Sequence, residues 1–161
     1  MRALRRGSVR VLVDVVREPA SMPDSFTDEA LNHARDVARL FMAYREVKRI
    51  PENKEAFLSL MLNTQHKPLA VDLVSLGSLQ SSIVHPREVF RPAVAIGAAA
   101  IIVAHNHPSG NPDPSAEDEA VTDRLREAGR LLGIPVVDHV ILGSGRFYSF
   151  AEGRDFPLDP A

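Results

Sequence analysis

The strongest constraint on this fold is a change of texture near residue 105. An apolar run over residues 98–104 passes directly into His105-Asn106-His107, and then into a segment carrying Pro108, Gly110, Pro112 and Pro114. A short apolar run bounded by turn residues reads as a buried strand. Side chains alternate faces along a strand, so two histidines two apart at its end point the same way. Beyond the loop, Ser115-Ala116-Glu117-Asp118 precedes an amphipathic stretch over residues 120–132. Ser-x-x-Asp ahead of such a stretch is the pattern of a helix start, with acidic residues 117–119 favourable at the positive end of the helix dipole.

That arrangement carries chemistry. Neutral imidazoles of His105 and His107 can take two corners of a tetrahedral metal, and Asp118 offers a third, oxygen ligand if the loop folds back over the strand end. A fourth corner is then left for water, as in a catalytic rather than a structural zinc site. Zinc is the expected cofactor. A plainer reading makes the histidines two polar loop residues and Ser115 and Asp118 an ordinary helix cap. It accounts for each part separately, but not for their shared register.

His-x-His, seven residues, Ser, two residues and Asp resembles the JAMM motif of the MPN (JAB) domain metallopeptidases. The wording HNHPSGNPDPSAEDEAVTDRL is similar to the RadC branch, as are HPREVF at 85–90, GAAAIIVAHNHPSG at 97–110 and EAGRLLGIPVVDHVILGSGRFYSF at 127–150. The resemblance covers about residues 54–150. It implies that His105, His107 and Asp118 are zinc ligands, that Ser115 stands beside the metal-bound water, and that an upstream glutamate is the general base. Glu55 occupies the place where the RadC branch writes Glu-x-Phe, and is assigned that role; Glu52 and Glu88 are its rivals. The implied reaction is hydrolysis of an amide bond, with Glu55 moving a proton from water to the leaving amine and Ser115 donating to the developing oxyanion.

The remaining pattern fits an α/β domain of the MPN (JAB) type, a mixed sheet flanked by helices with the zinc site at a strand end. Residues 54–63 have apolar side chains at both parities, Phe57 and Met61 on one face and Ala56, Leu58, Leu60 and Leu62 on the other. Such a strand is buried on both sides. Further strands are expected over 8–16, 69–76, 99–104, 136–142 and 146–150, with a hairpin turn at Gly143-Ser144-Gly145. Helices are expected over 28–47, ended by Pro51, and over 86–96 and 116–132, with a polar turn at 21–28. Residues 1–53 are read as an N-terminal strand and helix extension, and 54–161 as the metallopeptidase-like domain. His139, next to Asp138, is read as a satisfied strand-end histidine rather than a neighbour of the metal, and no site role is given to it or to His33, His66 or His85.

Composition decides less. No cysteine is present, which excludes disulfides and thiolate metal sites. The longest apolar run, residues 93–104, is shorter than the ~20 residues a membrane helix needs. Asp14 interrupts the apolar stretch behind the basic first ten residues, so no secretory signal is expected and a cytoplasmic location is the default. A net charge of -2 offers no broad phosphate-binding face. The resemblance implies a helix-hairpin-helix region before this domain in longer members, for which residues 1–50 are too short. The expected partner is thus a peptide or protein substrate, with no tight nucleic-acid binding and no membrane. Two other functions stay open: a DNA-repair-associated, metal-dependent protein acting on DNA, and a noncatalytic MPN interaction module.

Overall fold

The apolar segment Glu55–Leu62 forms strand β1, and its two parities go to two different cores. The computed structural model describes residues 30–77 and 84–158. β1 is followed by β2 (Pro68–Gly77), helix α2 (Pro86–Ile96), β3 (Ala100–Asn106), helix α3 (Ala116–Leu132), β4 (Val136–Leu142), β5 (Arg146–Ser149) and β6 (Arg154–Pro157), with helix α1 (Ala34–Val47) ahead of them all. The six strands form one mixed sheet in the order β2-β1-β3-β4-β5-β6. Among the described strands only β3 and β4 are parallel neighbours, because α3 carries the chain back across the sheet between them.

Each face has its own cover. Val37, Leu40, Phe41 and Tyr44 of α1 pack on Ala56, Leu58, Leu60 and Leu62 of β1 and on Ile102 and Ala104 of β3. Phe57, Met61, Ile101 and Val103 point the other way, into Val89 and Phe90 of α2 and Val121 and Leu125 of α3. This is the alternation expected of a strand buried on both sides. Where α3 ends beside α2, a Cβ on Gly129 would stand 2.5 Å from the Ile134 carbonyl and 3.2 Å from Phe90, so only glycine permits the approach.

Several boundaries differ from those expected. α1 begins at Ala34 rather than near residue 28, because the Leu31 amide donates to the His66 carbonyl at 2.9 Å and holds the preceding segment against the β1–β2 turn. The helix stops before Pro51 acts. Arg49 takes a left-handed φ of 53°, and the Ile50 amide closes back on the Arg45 carbonyl at 2.9 Å. β3 runs to Asn106, so His105 lies within the strand, and β6 was not foreseen. α2, α3 and the turn at residues 143–145 fall where expected. The strand expected over 8–16 and the turn over 21–28 lie outside the described residues. Among the described residues, no helix is long and apolar enough to cross a membrane.

Candidate metal centre

Register assembles the site. β1 and β3 are antiparallel, with Phe57 opposite His105 as the last pair of their ladder. Continued by two residues, that register sets Glu55 across from His107, on the same face. The ladder opens there, and Asn106 takes over its bonding. Its Oδ1 accepts from the Ala56 amide at 2.9 Å and its Nδ2 donates to the Lys54 carbonyl at 3.1 Å. Both backbone neighbours of Glu55 are thus tied to the residue between the two histidines.

α3 brings the carboxylate from the other side. Ser115 is its N-cap, with Oγ accepting from the Asp118 amide at 3.2 Å, while Asp118 Oδ2 accepts from the Ser115 amide at 2.7 Å and from the Ser115 hydroxyl at 2.6 Å. The capping box and the site are the same residues. Asp118 Oδ1 lies 3.1 Å from His105 Nε2, and Oδ2 lies 3.3 Å from His107 Nε2. The two Nε2 atoms are themselves 3.0 Å apart.

Glu55 stands slightly farther out, its Oε1 4.0 Å from His105 Nε2. Ligand atoms of Glu55, His105 and His107 all fall within 4.8 Å of one another, a grouping able to hold a cation. Asp118 is nearer to His105 than Glu55 is. The rivals are elsewhere: Glu52 is exposed, and Glu88 sits in the first turn of α2, where it pairs with Arg87 and Arg91 at 3.4 Å each.

The loop between β3 and α3 docks on the β4–β5 turn, a contact that no local pattern in the chain signals. The His107 amide donates to the Leu142 carbonyl at 2.8 Å, and the Ser144 amide to the Gly110 carbonyl at 2.8 Å. A Cβ on Gly143 would strike the Gly110 carbonyl and Pro112. Glycine is required by that approach. The same loop orients a ring, since His107 Nδ1 donates to the Asn111 carbonyl at 2.8 Å.

A carbonyl can only accept, so the neutral His107 ring turns the lone pair of Nε2 inward. The ionised Asp118 carboxylate adds only lone pairs. Burial works against that ionisation, yet the nearby His105 and His107 rings and the Ser115 hydroxyl outweigh it and hold the group well below the usual carboxylate range. Burial pushes His105 below its ordinary value, whereas the Asp118 carboxylate lifts the more open His107 above its own. Lone pairs on His107 Nε2 and on the Asp118 carboxylate, 3.3 Å apart, are what a divalent cation between them would satisfy, and the nitrogen and carboxylate ligands suit zinc chemistry.

Of two side chains beneath the rings, the sequence reading weighs His139 beside the metal but prefers a satisfied strand-end histidine, and it misses Thr122. His139, fully buried on β4, places Nε2 2.8 Å from His105 Nδ1, and Thr122 of α3 places Oγ1 2.6 Å from His139 Nδ1. His139 is a satisfied histidine, as expected, but its partner is a site residue. No spacing along the chain could reveal this, because it depends on the parallel β3–β4 register. Phe57 stacks on His105 at 5.7 Å and Phe150 on His139 at 5.0 Å, closing the rings off from water. The site opens instead along His107 and Glu55, whose side chains are 17% and 15% exposed.

Comparison with known proteins points the same way. A family model described as the RadC-like JAB domain matches residues 31–155. The chain is 52% identical over 122 residues to a UPF0758 protein of Moorella thermoacetica, covering 76% of this chain and 52% of that one. To a UPF0758 protein of Alkaliphilus oremlandii it is 50% identical over 119 residues, 74% of this chain and 50% of the relative. With a UPF0758 protein of Methanosarcina mazei it shares 43% identity over 144 residues, 87% of this chain and 61% of the relative. The match thus spans about half the length of the first two relatives.

Proposed function

The chain belongs to the RadC-like JAB domain family, and from that premise we propose that it is a zinc-dependent metallopeptidase or isopeptidase. The observation that carries this reading is the meeting of His105 Nε2, His107 Nε2 and both Asp118 oxygens within about hydrogen-bond distance, with Glu55 at their edge. His105, His107 and Asp118 would hold the metal. Zinc so bound supplies Lewis acidity and brings the pKa of a water to about 7.

The chain's own residues do the rest. Glu55 takes a proton on Oε1 from the attacking water and returns it to the leaving amine. Asn106 keeps the backbone on either side of that carboxylate fixed, so Glu55 need not be ordered on each turnover. Ser115 holds Asp118 through its hydroxyl, and turning that one proton toward the substrate carbonyl would let it stabilise the oxyanion. Phe57 and Phe150 keep water from the far side of the rings. The proposed substrate is a peptide or protein that reaches the open side by His107 and Glu55. Tight nucleic-acid binding is not part of the proposal, since the net charge is -2.

The test is elemental analysis of the purified protein followed by cleavage of an unbiased peptide library with and without chelator. We expect about one zinc per chain and chelator-sensitive cleavage. Glu55→Gln should keep the zinc while turnover falls by about 100-fold or more. Cleavage indifferent to chelator, or Glu55→Gln as fast as the unchanged chain, overturns the mechanism. Zinc bound with no peptide cleaved would favour a noncatalytic module, and chelator-sensitive cleavage of DNA instead would favour a nucleic-acid substrate.

A further inference from the structure

Beneath the site, four groups form a chain of hydrogen bonds whose direction is fixed at one end. Thr122 Oγ1 lies 2.6 Å from the Asp118 backbone carbonyl and 2.6 Å from His139 Nδ1. A carbonyl oxygen has no proton to give, so the Thr122 hydroxyl donates to it; otherwise two acceptors would face each other at that distance. The threonine proton is then spent. Oγ1 meets His139 with a lone pair, and His139 Nδ1 must carry the hydrogen. Both rings are fully buried, where a second proton on either would leave a charge unsolvated. The neutral His139 ring therefore offers the lone pair of Nε2 to His105 Nδ1, 2.8 Å away. His105 Nδ1 must carry the hydrogen in turn, and its Nε2 is left with a lone pair facing His107 Nε2 at 3.0 Å and Asp118 Oδ1 at 3.1 Å. A cation between them would relieve that meeting of acceptors, as none could across the 2.6 Å at Thr122.

We infer that Thr122 and His139 are positioning residues that lock the tautomer of His105, so that Nε2 is always the nitrogen free to bind a metal. Thr122 reads the orientation of α3 through the carbonyl of Asp118, whose side chain enters the same site. One backbone group thereby links the carboxylate and the buried ring. His107 gets its tautomer separately, from the Asn111 carbonyl of the loop. The role of the pair rests on the metal-centre reading above; the tautomer itself does not.

The experiment has two arms on the full chain. Long-range 1H–15N correlation spectra of the zinc-free protein report the tautomer of His105 directly, with His105→Gln supplying the assignment. The expected spectrum has the hydrogen on Nδ1; a hydrogen on Nε2 of His105 overturns the inference whatever the protein binds. In the second arm, zinc chloride is titrated against a competing chromogenic chelator. Thr122→Val keeps the shape of the side chain and removes the hydroxyl, and should weaken zinc binding by about 10- to 100-fold, with mixed tautomers at His105. Thr122→Ser restores the hydroxyl and should recover both readouts. Thr122→Val binding zinc as tightly as the unchanged chain, or Thr122→Ser failing to recover the tautomer, overturns the inference. If instead the unchanged chain takes up no zinc while His105 shows the Nδ1 hydrogen, the metal-centre reading fails and the tautomer lock stands.

Discussion

The two faces of the sheet are built from alternate residues of the same strands, yet they solve different problems. On the α1 side, Ala56, Leu58, Leu60, Leu62, Ile102 and Ala104 meet Val37, Leu40 and Phe41 in an unbroken apolar layer. On the α2–α3 side, the layer starts apolar at Met61, Ile101 and Val103 and then changes character, reaching buried His105, His139, Thr122 and Asp118. The first face gains free energy by removing carbon from water. The second gains little from burying its polar groups, which is tolerable because their hydrogen bonds are supplied locally. Stability should therefore reside mainly on the α1 face and chemistry on the other, a division that substitutions can break.

The largest expected effect is on metal. His107→Ala removes one ring from the open edge of the site, and zinc should fall from about one per chain to none retained through gel filtration, with the unfolding midpoint of the metal-free protein little changed. Full occupancy in His107→Ala, read by elemental analysis, would remove His107 from the ligand set and with it the contrast between the faces. Phe41→Ala tests the other side. Phe41 is fully buried in the α1 core, and its truncation should cost about 3–5 kcal/mol in denaturant unfolding while zinc affinity of the folded fraction stays the same. A parallel loss of affinity would mean the faces are coupled.

A smaller effect is expected at Asn106, which serves both regions. Asn106→Ala strips the Ala56 amide of its partner, which should cost about 1–3 kcal/mol of stability and slow peptide cleavage without loss of zinc. Turnover unchanged in the folded protein would show that Glu55 is held by other means. The smallest effect on stability falls on Ser115. Ser115→Ala removes the cap of α3 and the hydroxyl on Asp118, for about 1 kcal/mol in unfolding. A loss well beyond that would assign the hydroxyl more than capping and support of one carboxylate.

Much of this molecule could be read from the chain. Two-sided burial of β1 follows from its apolar residues at both parities, and each parity went to a core of its own. The helix starts at Pro86 and Ser115 were written in local chemistry, a proline at the first turn and a hydroxyl three residues ahead of an acid. His105, His107 and Asp118 were legible together because they lie at the joint between one strand and the next helix, although the docking of that loop on the β4–β5 turn was not. The start of α1 was missed for the opposite reason, since a bond from Leu31 to the distant His66 sets it. Strand β6 pairs with its chain neighbour β5 but was missed because Asp155 and Pro157 are poor strand formers.

The sequence by itself determined the alternation of faces, the helix caps and the motif that supplies the proposed ligands, since each depends on residues a few positions apart. Only the tertiary structure decided which groups stand behind those ligands. Asn106 acts on Glu55 across 50 or so residues of chain, as the Asn106 bonds to Ala56 and Lys54 at separations of 50 and 52 demonstrate. His139 reaches His105 from 34 residues away and Thr122 reaches His139 from 17. Those distances collapse to hydrogen-bond length only because the strand registers are fixed, and the registers are fixed by packing of the whole sheet between its helices, which no local pattern encodes.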